Sequence, residues 1–151
     1  MRFIFIAIFM TFATQASADF FTYADIKNLK HIEVILDDKA KNACWTNLTE
    51  SRQYAEEKLR GAGATLFSPD TDEKYMGEYH AFIIQVQSKR SKSMPLCFGS
   101  VTVRIGTPVS VNGKNYDAMA QGYHSIFMGK QNINTGDIES IQTFLEKLKD
   151  I

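Results

Sequence analysis

Apolar and polar residues alternate along parts of this chain and recur at helical spacing along others, and the two periods predict its elements. From His31 to Asp37, Ile32, Val34 and Leu36 fall on one side and Glu33 and Asp37 on the other, which predicts a strand with one buried face. Tyr79 to Gln87 repeats the pattern through Phe82, Ile84 and Val86, while Ala81 and Ile83 make its second face partly apolar. The longest β-prone stretch runs from Cys97 to Met128, interrupted by Asn112-Gly113. Asn-Gly between two such runs signals a type I′ hairpin, because both central residues of that turn need positive φ.

A two-residue loop at Asn112-Gly113 predicts Val111 opposite Lys114, Val109 opposite Tyr116, Val103 opposite Gly122 and Cys97 opposite Met128. In that register Cys97, Val101, Val103 and Ile105 share an inner face with Met128, His124, Gly122 and Ala120. Thr102, Arg104, Asp117, Gln121, Tyr123 and Phe127 then form a wetter outer face. Gly106 and Pro108 predict a bend or bulge short of the turn.

Two helices are expected. Asn47 followed by Glu50 has the spacing of a capping box and opens a helix to Arg60, which Gly61 ends. Its stripe of Leu48, Ser51 or Arg52, Ala55 and Leu59 is narrow, as for a helix lying over a sheet at the surface. Asn47-Leu48-Thr49 also matches a glycosylation sequon, but a capping role explains the asparagine. After a glycine-bounded turn, Ala64 to Phe67 forms a brief extra strand, and Ser68 to Gly77 is a solvated loop. Asp70 and Asp72 in that loop lack the further ligands of a calcium site, and Lys74 stands where one is needed. Asp137 opens the second helix, with Ile138, Ile141, Phe144, Leu145 and Leu148 on one stripe.

The element order β-α-β-β-β-α predicts an α+β fold: a mainly antiparallel sheet of about four strands with two helices packed on one face. The first strand, crossing through a helix, is expected parallel to its neighbour. The runs Leu-Lys-His-Ile-Glu-Val-Ile-Leu (29–36), Ala-Glu-Glu-Lys-Leu-Arg-Gly-Ala-Gly (55–63), Ala-Phe-Ile-Ile-Gln-Val (81–86) and Ile-Gln-Thr-Phe-Leu-Glu-Lys-Leu (141–148) resemble the layout of small exported bacterial α+β proteins of unknown function. The resemblance covers most of the chain after its N-terminal segment. It implies the fold and carries no catalytic residue across.

The N-terminal segment adds a location. Met1-Arg2, an apolar run from Phe3 to Phe12 and Ala16-Ser17-Ala18 have the order of a signal peptide, giving residues 1–18 as signal, cleavage after Ala18 and 19–151 as a single domain. The apolar run is shorter than the ~20 residues a bilayer-spanning helix needs. An uncleaved anchor is the alternative. The expected product is soluble, periplasmic or secreted, and not membrane-spanning. In such a compartment Cys44 and Cys97 are expected to pair as a disulfide, the alternative being two inert buried thiols. With 17 Lys+Arg against 17 Asp+Glu, the chain lacks the basic excess of a nucleic-acid binder.

Candidate chemistry is sparse. His31, His80 and His124 fall on three separate strands without ligand spacing, so no metal or other cofactor is expected. Gly99-Ser100 lies mid-strand, outside the sharp turn that exposes a serine nucleophile, and no carboxylate pair stands out, so no catalytic residue is assigned. Lys89, Arg90 and Lys92 form a basic loop suited to an anionic envelope component. Arg104, Gln121, Tyr123 and Phe127 form a candidate docking surface for another envelope protein. The sequence therefore points to an exported, non-catalytic binding or envelope-assembly accessory module. A small periplasmic hydrolase with an unrecognised active site is the alternative.

Overall fold

Each stretch of alternation becomes a strand and each helical stripe a helix. The structure, a computed structural model, describes residue 29 and residues 31–68 and 79–149. The expected signal peptide, the lead-in through residue 28 and the 69–78 loop, with Asp70 and Asp72, lie outside the described residues. The elements in order are β1 (Ile32–Asp38), α1 (Leu48–Gly61), β2 (His80–Arg90), β3 (Cys97–Val111), β4 (Lys114–Gly129) and α2 (Asn134–Lys149). The strands lie in the order β1-β2-β3-β4. β1 runs parallel to β2, as a crossover through α1 requires, and the other pairs are antiparallel, so the sheet is mixed. The expected extra strand contracts to a parallel bridge between Ile32 and Leu66. There Ile32 N donates to Thr65 O at 2.8 Å and Phe67 N to Ile32 O at 2.9 Å.

One face of the sheet is covered by both helices. Ile32 and Val34 of β1, Phe82, Ile84 and Val86 of β2, and Val101, Val103 and Ile105 of β3 are buried against Ala55 and Leu59 of α1 and Ile141, Phe144, Leu145 and Leu148 of α2. The Phe82 and Phe144 rings meet at a centroid distance of 5.8 Å with a tilted geometry that suits their quadrupoles.

The hairpin turn forms as its sequence requires, with Asn112 at φ 53° and Gly113 at φ 74°. The register begins as expected, with Val111 opposite Lys114 and Val109 opposite Tyr116. It then slips. Gly106 pairs with Met119 but Ile105 pairs with Gln121, so β4 accommodates Ala120 as an extra residue. Beyond this bulge Val103 faces Tyr123 rather than Gly122, and Cys97 faces Gly129 rather than Met128. Because the side-chain period of a strand is two, the one-residue slip exchanges the faces of β4 along the whole of its second half.

Both ends of α1 differ from the sequence reading. Its stop is Gly63, at φ 92°, while Gly61 remains in the last turn and Ala62 is the C-cap. Asn47 precedes α1 without a side-chain capping bond. Its amide nitrogen turns to α2 instead, 3.4 Å from both Asn134 O and Asp137 Oδ1. The reason is Asp137. This carboxylate is fully buried in the first turn of α2, so its oxygens need donors from the protein. Trp45 Nε1 donates to Oδ2 at 2.9 Å, and Ser51 Oγ bonds the same oxygen.

The disulfide lies beside this knot. Cys44 and Cys97 are bonded, with Cα atoms 5.5 Å apart, and both are buried. Ile133 N donates to Cys44 O at 2.9 Å and Thr46 N to Asn134 Oδ1 at 3.1 Å, which sews the 44–46 segment to the start of α2. The pair closes a sequence separation of 53. In the chain-entropy treatment that closure is worth about 4 kcal/mol.

Replacing both Cys44 and Cys97 by Ala should lower the unfolding free energy in denaturant titration by about 4 kcal/mol, and the oxidised wild type should show no reactive thiol after denaturation. Burial raises the Asp137 pKa above its ordinary 3.8, against hydrogen bonds from Ser51, Trp45 and Asn47 that lower it. The folded state therefore takes up a proton before the unfolded chain does. This site's contribution to stability should grow as pH falls through the raised value and level off below 3.8. Asp137→Asn should remove that growth from a series of melts against pH.

Candidate docking surface

The face of the sheet away from the helices alternates with the core face, and its character changes along the strands. In the middle it carries polar pairs bonded across the strands, beside Ile35 and Ile83. Thr102 Oγ1 and His124 Nδ1 lie 2.8 Å apart across β3 and β4, and Gln85 Nε2 donates to Asp37 Oδ2 across β2 and β1. The bond from Gln85 and the Lys39 ammonium, 3.0 Å away, hold the Asp37 carboxyl below its ordinary range, with Arg104 adding to the effect.

Towards the Cys97 end the same face turns apolar. Phe98 pairs with Met128 and Ser100 with Ile126, which puts these side chains on the side opposite the core residues Cys97 and Val101. Ile126 and Met128 are each 78% exposed, Met94 is 54% exposed and Phe98 37%. Exposure on this scale is unusual for large apolar side chains that lie together. Met94 and Leu96 from the β2–β3 turn, with Gln87, Ser100 and His124, complete a shallow open depression of about 570 Å³. Lys89 lies at its edge, its Nζ 5.3 Å from the Phe98 ring centre.

The residues assigned to binding from the sequence are divided between the two faces. Gln121, Tyr123 and Phe127 lie on the helix side, because of the bulge at Ala120. Lys147 Nζ of α2 sits 4.5 Å from the Tyr123 ring centre. The Phe127 ring packs so closely on Gly136 that a Cβ there would lie 2.5 Å from a ring carbon. Arg104 is on the outer face, six residues along β3 from Phe98, or about 20 Å at strand rise.

The basic loop is divided as well. Arg90 Nη2 donates to Gln131 O at 2.6 Å and Nε to Asn42 O at 3.3 Å, so its guanidinium clamps two loops. Lys89 is engaged with Phe98, and Lys92 is exposed in the turn. Of the seven residues assigned, Lys89 alone borders the apolar depression. Phe98, Ile126 and Met128 were not singled out, and their signal was the unbroken run Ile126-Phe127-Met128, which gives a strand two apolar faces.

Asp137, Ser51 and Trp45 form a carboxylate–hydroxyl–indole group, but the first two are fully buried and Trp45 is 3% exposed, so no substrate can reach them. His80 Nδ1 lies 3.2 Å from Thr107 Oγ1, and burial holds the imidazole below its usual range with His31 adding to the shift. Among the described residues no three His, Cys, Asp or Glu side chains converge as a metal site would require.

No protein-family model and no curated protein matches this chain. A crystal structure of an uncharacterized protein overlaps 86% of this chain and 93% of its own, at 8% identity and a TM-score of 0.31. A likeness of that size carries neither family nor function.

The bulge makes the two halves of the Ile126-Phe127 pair behave differently under substitution. Ile126→Lys should change stability by no more than about 0.5 kcal/mol, as for an exposed position. Phe127→Ala should cost about 2 kcal/mol, less than a fully buried phenylalanine, because its ring supports the first turn of α2. Equal effects in urea unfolding would contradict this assignment of faces.

Proposed function

We propose that this protein is an exported, non-catalytic docking module, which holds a partner protein of the cell envelope against the helix-free face of its sheet. The observation that carries this reading is the exposed apolar corner made by Met94, Phe98, Ile126 and Met128, beside the bonded polar pairs of the same face. Contiguous apolar side chains exposed to this degree have a cost in water that a docked partner removes. The rim of Gln87, Ser100, His124 and Lys89 supplies polar groups around the apolar centre, the arrangement common to protein interfaces.

The export part of the reading rests on the signal-like order of the first residues and on the Cys44–Cys97 disulfide, which an oxidising compartment favours. Among the described residues no helix is long and apolar enough to cross a membrane. A protein partner is a better fit than an anionic headgroup. Arg90 is already committed to two carbonyl oxygens and Lys89 to an aromatic ring, so the basic loop does not present three free cations together.

The test is affinity capture from envelope extract with the oxidised chain. A partner retained by wild type should be lost from the Ile126→Lys/Met128→Lys double variant and kept by Glu57→Lys, a change on the exposed side of α1. Retention unaffected by the double variant would defeat the docking reading.

A further inference from the structure

The apolar corner runs up to the edge of the sheet. β4 is the last strand in the order β1-β2-β3-β4, and among the described residues no strand or loop pairs with its far side. A long edge presents a row of unsatisfied N–H and C=O groups, and proteins that keep such an edge single protect it with charge, proline or a bulge. This edge has a bulge at Ala120, but beyond it neither charge nor proline. From Ala118 to Gly129 there is no Asp, Glu, Lys, Arg or Pro. The bulge at Ala120 limits the regular part to Gln121–Gly129, about 30 Å of strand at ordinary rise.

We propose that the edge of β4 pairs with the same edge of a second copy, in antiparallel orientation about a two-fold axis, so that two sheets join into one. The chain itself supplies a matching strand. Full overlap of Gln121–Gly129 with its own copy places the axis at Ser125. On the outer face the pairing sets Ile126 beside His124 of the other copy and Met128 beside Gly122, where the glycine leaves room for the longer side chain. On the helix side it sets Phe127 beside Tyr123, an aromatic cross-strand pair. No ionic side chain belongs to the paired stretch itself.

Such pairing also joins the two apolar corners into one continuous strip across the axis. The inference goes beyond the docking reading and does not need it: a dimer can form whether or not an envelope partner binds the strip.

The experiment is sedimentation equilibrium of the oxidised chain over a concentration series, combined with hydrogen exchange at the same concentrations. The expected result is a reversible dimer in which amides of Gln121–Gly129 gain protection as the dimer fills. Ile126→Lys should weaken the dimer at least about tenfold while leaving the monomer folded. Glu57→Lys should leave the dimer unchanged. A chain that stays monomeric to roughly millimolar concentration would overturn the proposal, even if capture of an envelope partner succeeds. A dimer whose β4 amides exchange as fast as in the monomer would overturn it too, since the copies would then meet face to face.

Discussion

Asp137 is the constraint on which the helical layer depends. A carboxyl group buried away from water is tolerable only if its oxygens are bonded, and the donors here come from a separate part of the chain. Trp45, Asn47 and Ser51 bring the start of α1 to the start of α2, and the disulfide anchors the same segment to the first residue of β3. Removing Asp137 as a hydrogen-bond acceptor would leave the Trp45 indole N–H unsatisfied in the core, while the Ser51 hydroxyl keeps Asn47 O and the Asn47 amide keeps Asn134 O. The strands are joined to one another by their own ladder. The seating of the two helices relative to each other rests on this knot.

The same knot explains which parts of the fold could be read in advance. The strand and helix periods of β1, β2 and α2 are local properties, so Val34, Phe82 and Ile141 identify themselves as core. The I′ turn is also local, fixed by two residues with positive φ. Asn47 is different. Its spacing to Glu50 satisfies the local rule for a cap, but its Nδ2–H donates to a buried acid ninety residues away in sequence and its Oδ1, the capping atom, is left without a partner. Gly61 and Gly63 are a milder case: either could stop the helix by composition, and the positive φ falls on the second.

The outer face was the least legible part, for a reason contained in β4. A bend or bulge was expected from Gly106 and Pro108, and the register does shift between Ile105 and Gly106, but which strand carries the extra residue is not encoded in either glycine or proline. The run Ser125-Ile126-Phe127-Met128 offers no alternation to fix the phase, so its register depends on a count made from the turn. Ala120 breaks that count. One inserted residue then moves Tyr123 and Phe127 beneath α2 and brings Ile126 and Met128 to the solvent.

That insertion also gives the exposed corner its character. Had β4 run without the bulge, Phe127 and Tyr123 would face outward, and Met128 would pack against the core opposite Cys97. With it, the aromatic rings support the helix, and the corner is built from Ile126 and two methionines, side chains without hydrogen-bonding groups. Unbranched methionine adapts its shape to irregular surfaces. A face made of Met94, Met128, Ile126 and Phe98 is therefore suited to recognition by apolar contact and shape rather than by a fixed set of polar bonds. The polar band of Asp37, Gln85, Thr102 and His124 bounds it on one side with groups already bonded to each other. Contact with that band returns little energy, because its hydrogen bonds are satisfied before a partner arrives. The binding free energy this face can supply is concentrated at its apolar end, next to the edge strand β4.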